Sequence, residues 1–277
     1  MHALWIRALA GVIAIGGLYV ATTQQANQPL TVEKLADDLH VIVGSGGNVA
    51  VLTTDEGSIL VDDKFDRNVP EILEKVKSIS NKPVRYIMNT HHHGDHTGGN
   101  TTLIKSAEIV AHDNVFANMT KGNQPGAPRI TFSDMASMRV GGKELRAHYF
   151  GRGHTNGDAV VLFPAHRVLH TGDLFVAGTP FIDYAGGGSA IEWTSTLERA
   201  LALNFDKVIP GHGPIMTKQD LRNWVETFKK VRMKVSELKK GGKPAEEVAK
   251  MLNIEEFGWK PSALWTKGVP GLIAEVR

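Results

Sequence analysis

The chain of 277 residues contains no cysteine. That excludes disulfides, thiolate metal ligands, a cysteine nucleophile and a lipid-modified N-terminal cysteine. Stability must come from the core, and any metal must be held by imidazole and carboxylate. An excess of one charge sign is also missing. The formal net charge is +2 and basic residues form no dense run, so no nucleic-acid partner is expected. There is no repeat, low-complexity tract or linker that would split the chain. The one long uncharged, largely apolar run covers residues 8–23, after Arg7. It is short for a membrane anchor, which needs about 20 apolar residues. It is rich in small residues, and Ala21 or Ala26 can end a cleavage site. The expected organisation is a signal peptide at 1–26 and one domain at 27–277 with C-terminal helices, working in a periplasm or outside the cell. A stable membrane partner is expected only if the signal stays attached. Composition, with 42% apolar and 22% charged residues, is that of a globular protein with ample length for a core.

Beyond the signal, β-rich runs alternate with helical ones. Residues 40–43, 48–53 and 58–62 read as successive strands, the first two around Gly44-Ser45-Gly46-Gly47. Val69, Ile72, Leu73, Val76 and Ile79 share a face at helical spacing, and Asn68 and Pro70 mark the start. Strands are predicted at 83–88, 108–111, 145–149, 158–163, 167–170 and 207–209, and helices at 101–106, 192–203, 218–240 and 244–252. His112 opens a further helix, and the Gly/Pro/Asn-rich stretch 121–129 reads as a flexible flap. Mixed strands with interspersed helices predict an α/β fold of sheets flanked by helices.

The densest chemistry lies in Thr90-His91-His92-His93-Gly94-Asp95-His96-Thr97-Gly98-Gly99. His91, His93, Asp95 and His96 are four potential metal ligands in six residues. Imidazole nitrogen and carboxylate oxygen suit zinc and similar divalent ions. The i, i+2 spacing of His91 and His93 turns both side chains to one side of an extended segment. Asp95 and His96 can face elsewhere after a turn at Gly94. Three later segments share this character: Gly153-His154-Thr155-Asn156-Gly157-Asp158, His170-Thr171-Gly172-Asp173 and Pro210-Gly211-His212-Gly213. Each places a polar residue at a strand edge beside glycine. The total is five histidines and two aspartates in four loops, enough for two metal ions with a shared water.

These motifs resemble the metallo-β-lactamase superfamily, from about Asp38 to Gly213. The resemblance implies an αββα sandwich of two mixed β-sheets flanked by helices. It also implies two Zn²⁺ ions, with iron or manganese as alternatives: His91, His93 and His154 for one, Asp95, His96 and His212 for the other, and Asp173 between them. The implied reaction is hydrolysis of a small acyl substrate (a β-lactam, lactone or ester) by a metal-bridging hydroxide, with Asp95 orienting the nucleophile. The histidine tract and bridging Asp173 also resemble glyoxalase II-like thioester hydrolases, the alternative reading. The chain departs from those zinc β-lactamases that have cysteine where Asp173 falls. After Asp173 comes Leu174-Phe175-Val176-Ala177-Gly178, without the lysine that pairs with a drug carboxylate.

Asp62 and Asp63, at a strand end, are candidates to support the ligand histidines. His92 is expected to be a spacer pointing away. His148 and His170 are expected to pack or to support ligands, His112 to be structural, and His40 and His166 to be ordinary. Residues 179–189, with Phe181, Tyr184 and three successive glycines, are a candidate cleft wall.

Overall fold

The computed structural model describes residues 28–277; the expected signal peptide lies outside them. A seven-stranded sheet comes first. Its strands are β1 (Thr31–Lys34), β2 (Leu39–Val43), β3 (Val49–Thr54), β4 (Gly57–Val61), β5 (Val84–Met88), β6 (Glu108–His112) and β7 (Ile130–Phe132), side by side in chain order. The first four pair antiparallel, and β4 to β7 pair parallel through helical crossovers. The crossovers contain α1 (Val69–Ile79), the single turns α2 (Gly94–Thr97) and α3 (Asn100–Leu103), and α4 (Asp113–Lys121).

The second sheet has six strands: β8 (Met135–Val140), β9 (Lys143–Tyr149), β10 (Ala159–Phe163), β11 (Val168–His170), β12 (Lys207–Ile209) and β13 (Met216–Thr217). Only β11 and β12 pair parallel, with α5 (Ala190–Leu201) between them. The chain ends in α6 (Lys218–Lys240), α7 (Ala245–Met251) and α8 (Ala263–Glu275).

Side chains alternate across each strand, and inner strands such as β3, β4 and β10 are buried on both faces. In β10, Ala159, Val161 and Phe163 meet Leu39, Val41, Leu52 and Ile59 of the first sheet between the layers. Val160 and Leu162 face outward onto Trp193, Trp224 and Phe228 of the helices. On the far side, Val49, Val51 and Leu60 pack on Val69, Ile72 and Val76 of α1. The layers are therefore helix, sheet, sheet, helix, as expected. Each fully buried Val, Leu or Ile contributes roughly 1.5–3 kcal/mol. Among the described residues no helix is long and apolar enough to cross a membrane.

The helices α1 and α6 have the predicted bounds. The helix expected at 101–106 is a single turn, because the chain must already extend into β6. The expected flap is tied to the ligand segment: Gln124 Nε2 donates to Thr97 Oγ1 (2.6 Å) and Asn100 Nδ2 to Gly126 O (3.0 Å).

Candidate metal centre

The parallel strands point the C-terminal ends of β4, β5, β11 and β12 to one edge of the sandwich, where their loops meet. Ala159 N donates to Thr90 O (2.8 Å), and Asn48 N to Gly211 O (2.8 Å), tying the two sheets together there. After β5 the chain runs extended through His91 and His93, then closes one helical turn, with His96 N and Thr97 N donating to His93 O (both 3.0 Å). That change from extended to helical backbone sends Asp95 and His96 to a different side from His91 and His93. Asp173 follows β11 and His212 follows β12. A Cβ at Gly211 would lie 1.9 Å from Asp173 Oδ1, so only glycine lets the His212 loop pass the carboxylate.

All seven predicted residues converge. His91, His93, His154 and Asp173 form one cluster and Asp95, His96 and His212 another; within each, the candidate ligand atoms lie within 4.8 Å of one another. His154 Nε2 is 2.8 Å from His93 Nδ1. His212 Nε2 is 3.2 Å from Asp95 Oδ2. Asp173 lies between the clusters, with Oδ1 3.2 Å from His96 Nε2 and 3.4 Å from His212 Nε2, and Oδ2 3.7 Å from His154 Nε2.

The nitrogens facing away from the centre are spoken for. A carbonyl or carboxylate can only accept, so the ring nitrogen beside it donates. His154 Nδ1 donates to Phe181 O (2.6 Å), His93 Nε2 to Asp183 Oδ2 (2.9 Å) and His96 Nδ1 to Asp62 Oδ2 (2.8 Å). Thr90 Oγ1 donates to Asp62 (2.8 Å) and so accepts from His91 Nδ1 (3.1 Å). For His91, His93 and His154 the opposite nitrogen is left with its lone pair facing the centre, as metal-bound histidines require; His96 Nε2 would offer its own once its proton leaves. His91 Nε2 is buried without a hydrogen-bond partner. Leaving such an atom unpaired is costly, and a divalent cation held by His91, His93, His154 and Asp173 would satisfy it. The residues present fit zinc or a similar ion.

The charges also differ by cluster. Burial pushes the His91 and His154 pKa values down, with neighbouring imidazoles adding to the effect. Burial acts the same way on His96 and His212. There, however, Asp173 and Asp95 outweigh it, raising His96 well above its ordinary value and His212 to about 9. Burial alone would raise Asp95 and Asp173, but the facing His96 and His212 hold both carboxylates well below the usual range.

Asp62 supports His96 as anticipated. Asp63 instead accepts from Gly99 N (3.0 Å), and burial beside Asp62 raises its pKa. His170 and His112 serve the backbone: His170 Nε2 is 3.1 Å from Asn48 O, and His112 Nδ1 caps α4 by accepting from Asn114 N (3.1 Å). His148 stacks on Phe150. His166 pairs with Asp38 (2.6 Å). His92 does not point away. It turns toward Asp183 (3.9 Å) and accepts from Asn118 Nδ2 (3.3 Å), because the backbone on either side of it is drawn into the centre. Burial then pushes its pKa down to about 3. The expected cleft wall is present in part: Phe181 stacks on His93 (6.1 Å between centroids). Sequence reasoning passed over Asp183 and Glu275. Asp183 carries no motif. Glu275, at the end of α8, accepts from Tyr184 Oη and Ala190 N (both 2.8 Å) and so anchors the loop that holds Asp183.

Comparison with known proteins agrees with this fold. The family model of the metallo-beta-lactamase superfamily matches residues 42–212. The chain is 31% identical over 173 residues to a type 2 metallo-beta-lactamase of Bacillus cereus, covering 61% of this chain and 67% of that one. A metallo-beta-lactamase from Pontibacter korlensis superposes with a TM-score of 0.65 at 22% identity, over 72% of this chain and 99% of that one. FIM-1 from Pseudomonas aeruginosa, in a mono-zinc form, gives 0.65 at 21% identity, over 75% and 98%. At such identities the structural likeness speaks for the fold, while the family match and the Bacillus relative speak for descent. With its His/Asp clusters, this chain belongs to the metallo-beta-lactamase superfamily and is a metal-dependent, β-lactamase-like hydrolase.

Proposed function

We propose that the protein is a secreted dizinc hydrolase of small acyl substrates, with β-lactams first among them. The observation that carries the reading is Asp173, set between two separately supported ligand sets, His91, His93 and His154 on one side and Asp95, His96 and His212 on the other. Bound divalent ions would supply an acidified water and a Lewis acid for the acyl carbonyl. The residues around them do the rest. Asp95, with its side chain 26% exposed, and His212, 22% exposed, line the open side of the centre. Asp95 is ionised at neutral pH and can take a proton from the attacking water at Oδ2 and return it to the leaving group. His91 and His96 are sealed from solvent, and Asp62 and Asp183 lock His96 and His93 in orientation. Phe181, stacked on His93, offers an apolar wall to the substrate.

The Bacillus relative favours a β-lactam, and the test is hydrolysis of a chromogenic cephalosporin by the zinc-loaded protein beside His93→Ala. Turnover that needs both zinc and His93 supports the reading. No turnover moves the substrate to lactones or, for the glyoxalase II-like alternative, thioesters. Full activity in His93→Ala would sink the two-ion assignment.

A further inference from the structure

Lys64 is fully buried, and among the described residues only Trp193 is a larger fully buried side chain. No carboxylate among them lies within ion-pair distance of its Nζ, whose hydrogen bond goes to Gly47 O (2.5 Å). The charged groups that act on it are Asp95, Asp62 and Glu71, from three different segments. Burial outweighs them and lowers its pKa to about 7. An ammonium in such a place is strongly unfavourable. The backbone is unfavourable as well, with φ of +59° at Lys64 and +64° at Asp62, both left-handed in non-glycine residues. Strain and buried charge accumulated in three residues persist only where the surroundings impose them, commonly beside a functional site.

The surroundings here are the second cluster. Gly47, which receives the Lys64 ammonium at its carbonyl, donates its N–H to Asp95 O (3.0 Å). A Cβ on Gly47 would lie 2.2 Å from His96 Cε1, so the Gly46–Gly47 ribbon lies flat on the imidazole. From its own carbonyl, Lys64 accepts from Gly98 N (2.8 Å), at the end of the turn that carries Asp95 and His96. Lys64 thus grips the ribbon with its side chain and the ligand turn with its backbone.

We propose that Lys64 is a positioning residue for the second cluster. By holding Gly47 against the His96 ring that Asp62 orients, it raises the affinity of Asp95, His96 and His212 for a divalent ion, at the expense of the stability of the ion-free fold. The inference rests on the two-ion reading. Among the described residues no other lysine is buried, and the first cluster is the internal control.

The test is a Zn²⁺ titration of the metal-free protein against a chromophoric chelator, with thermal unfolding of the same metal-free samples. Wild type should bind in two steps, and the step lost in His212→Ala defines the second cluster. Lys64→Met keeps the length and removes the charge. It should weaken the second step roughly 10–100-fold and leave the first within about threefold. The metal-free melting temperature should be unchanged or higher, which a merely structural lysine would not give. Gly47→Ala approaches the same contact from the other side. It should weaken the same step by pressing on the His96 ring, and Lys64→Gln, which also removes the charge, carries the test if Lys64→Met does not fold. Two steps indifferent to both variants would overturn the proposal. So would equal weakening of both steps with a lower melting temperature. A single step in wild type would overturn the two-ion reading and this proposal with it, an outcome distinct from two steps that ignore Lys64.

Discussion

The two clusters share one carboxylate and lie side by side, yet they are charged differently. In the first, burial among imidazoles keeps His91 and His154 neutral. In the second, Asp95 and Asp173 hold protons on His96 and His212. The first cluster presents bare lone pairs to an ion. The second already has its negative charge balanced, so an ion must displace protons to enter. On the proposed two-ion reading, neighbouring clusters built from the same residue types would bind their ions with different affinities because of where two carboxylates are placed.

The largest expected effect breaks one cluster at a time. His93→Ala and His212→Ala should each lower turnover by about a thousandfold or more, a barrier increase of ~4 kcal/mol. Metal content measured beside the rates should show each variant losing the ion of its own cluster. A smaller effect separates the supports. Asp62→Ala removes the acceptor of His96 Nδ1, and Asp183→Ala that of His93 Nε2. Each should weaken one binding step by roughly 10–100-fold, the second for Asp62 and the first for Asp183. Weakening of the same step by both would erase the distinction.

The pH dependence sharpens it further. His212 is raised to about 9, so below that pH the ion-free protein carries its proton. Affinity of the second step should rise with pH up to at least about 9, by about tenfold per unit for the His212 proton alone and more steeply where the His96 proton is displaced too. The first step should stay flat from neutral pH upward. The sign for stability is opposite. Pairing with Asp173 and Asp95 raises His212 from 6.5 to about 9. The stabilisation of the ion-free fold is therefore full below 6.5 and lost as pH rises through about 9. Melting curves of the metal-free protein across that window check it. The smallest effect is expected from His92→Ala, since His92 belongs to neither cluster. Binding steps should move by no more than about threefold, far below the cost of losing a supporting carboxylate.

Much of this was legible in the chain, for local reasons. The apolar stripe of α1 announces itself through a period of 3.6, and inner strands such as β10 through a short unbroken apolar run. The seven clustered residues stand in short motifs where glycine and strand ends come together. The elements that went unread lack such signals. β1 and β8 are edge strands with largely exposed side chains. In α8, Gly268, Pro270 and Gly271 hide a helix. Those glycines are explained only by what they touch, the backbone of Ile182 and the ring of Tyr184.

By itself, the sequence determined the family, the layered fold and the inventory of candidate ligands, because each is written in contiguous residues. Tertiary structure decided which residues serve them. Asp62 reaches His96 across 34 positions, and Asp183 reaches His93 across 90. Lys64 spends its charge on a carbonyl of a distant loop. Side-chain orientation and pKa depend on distances of a few ångströms between segments far apart in the chain, and only folding brings those segments together.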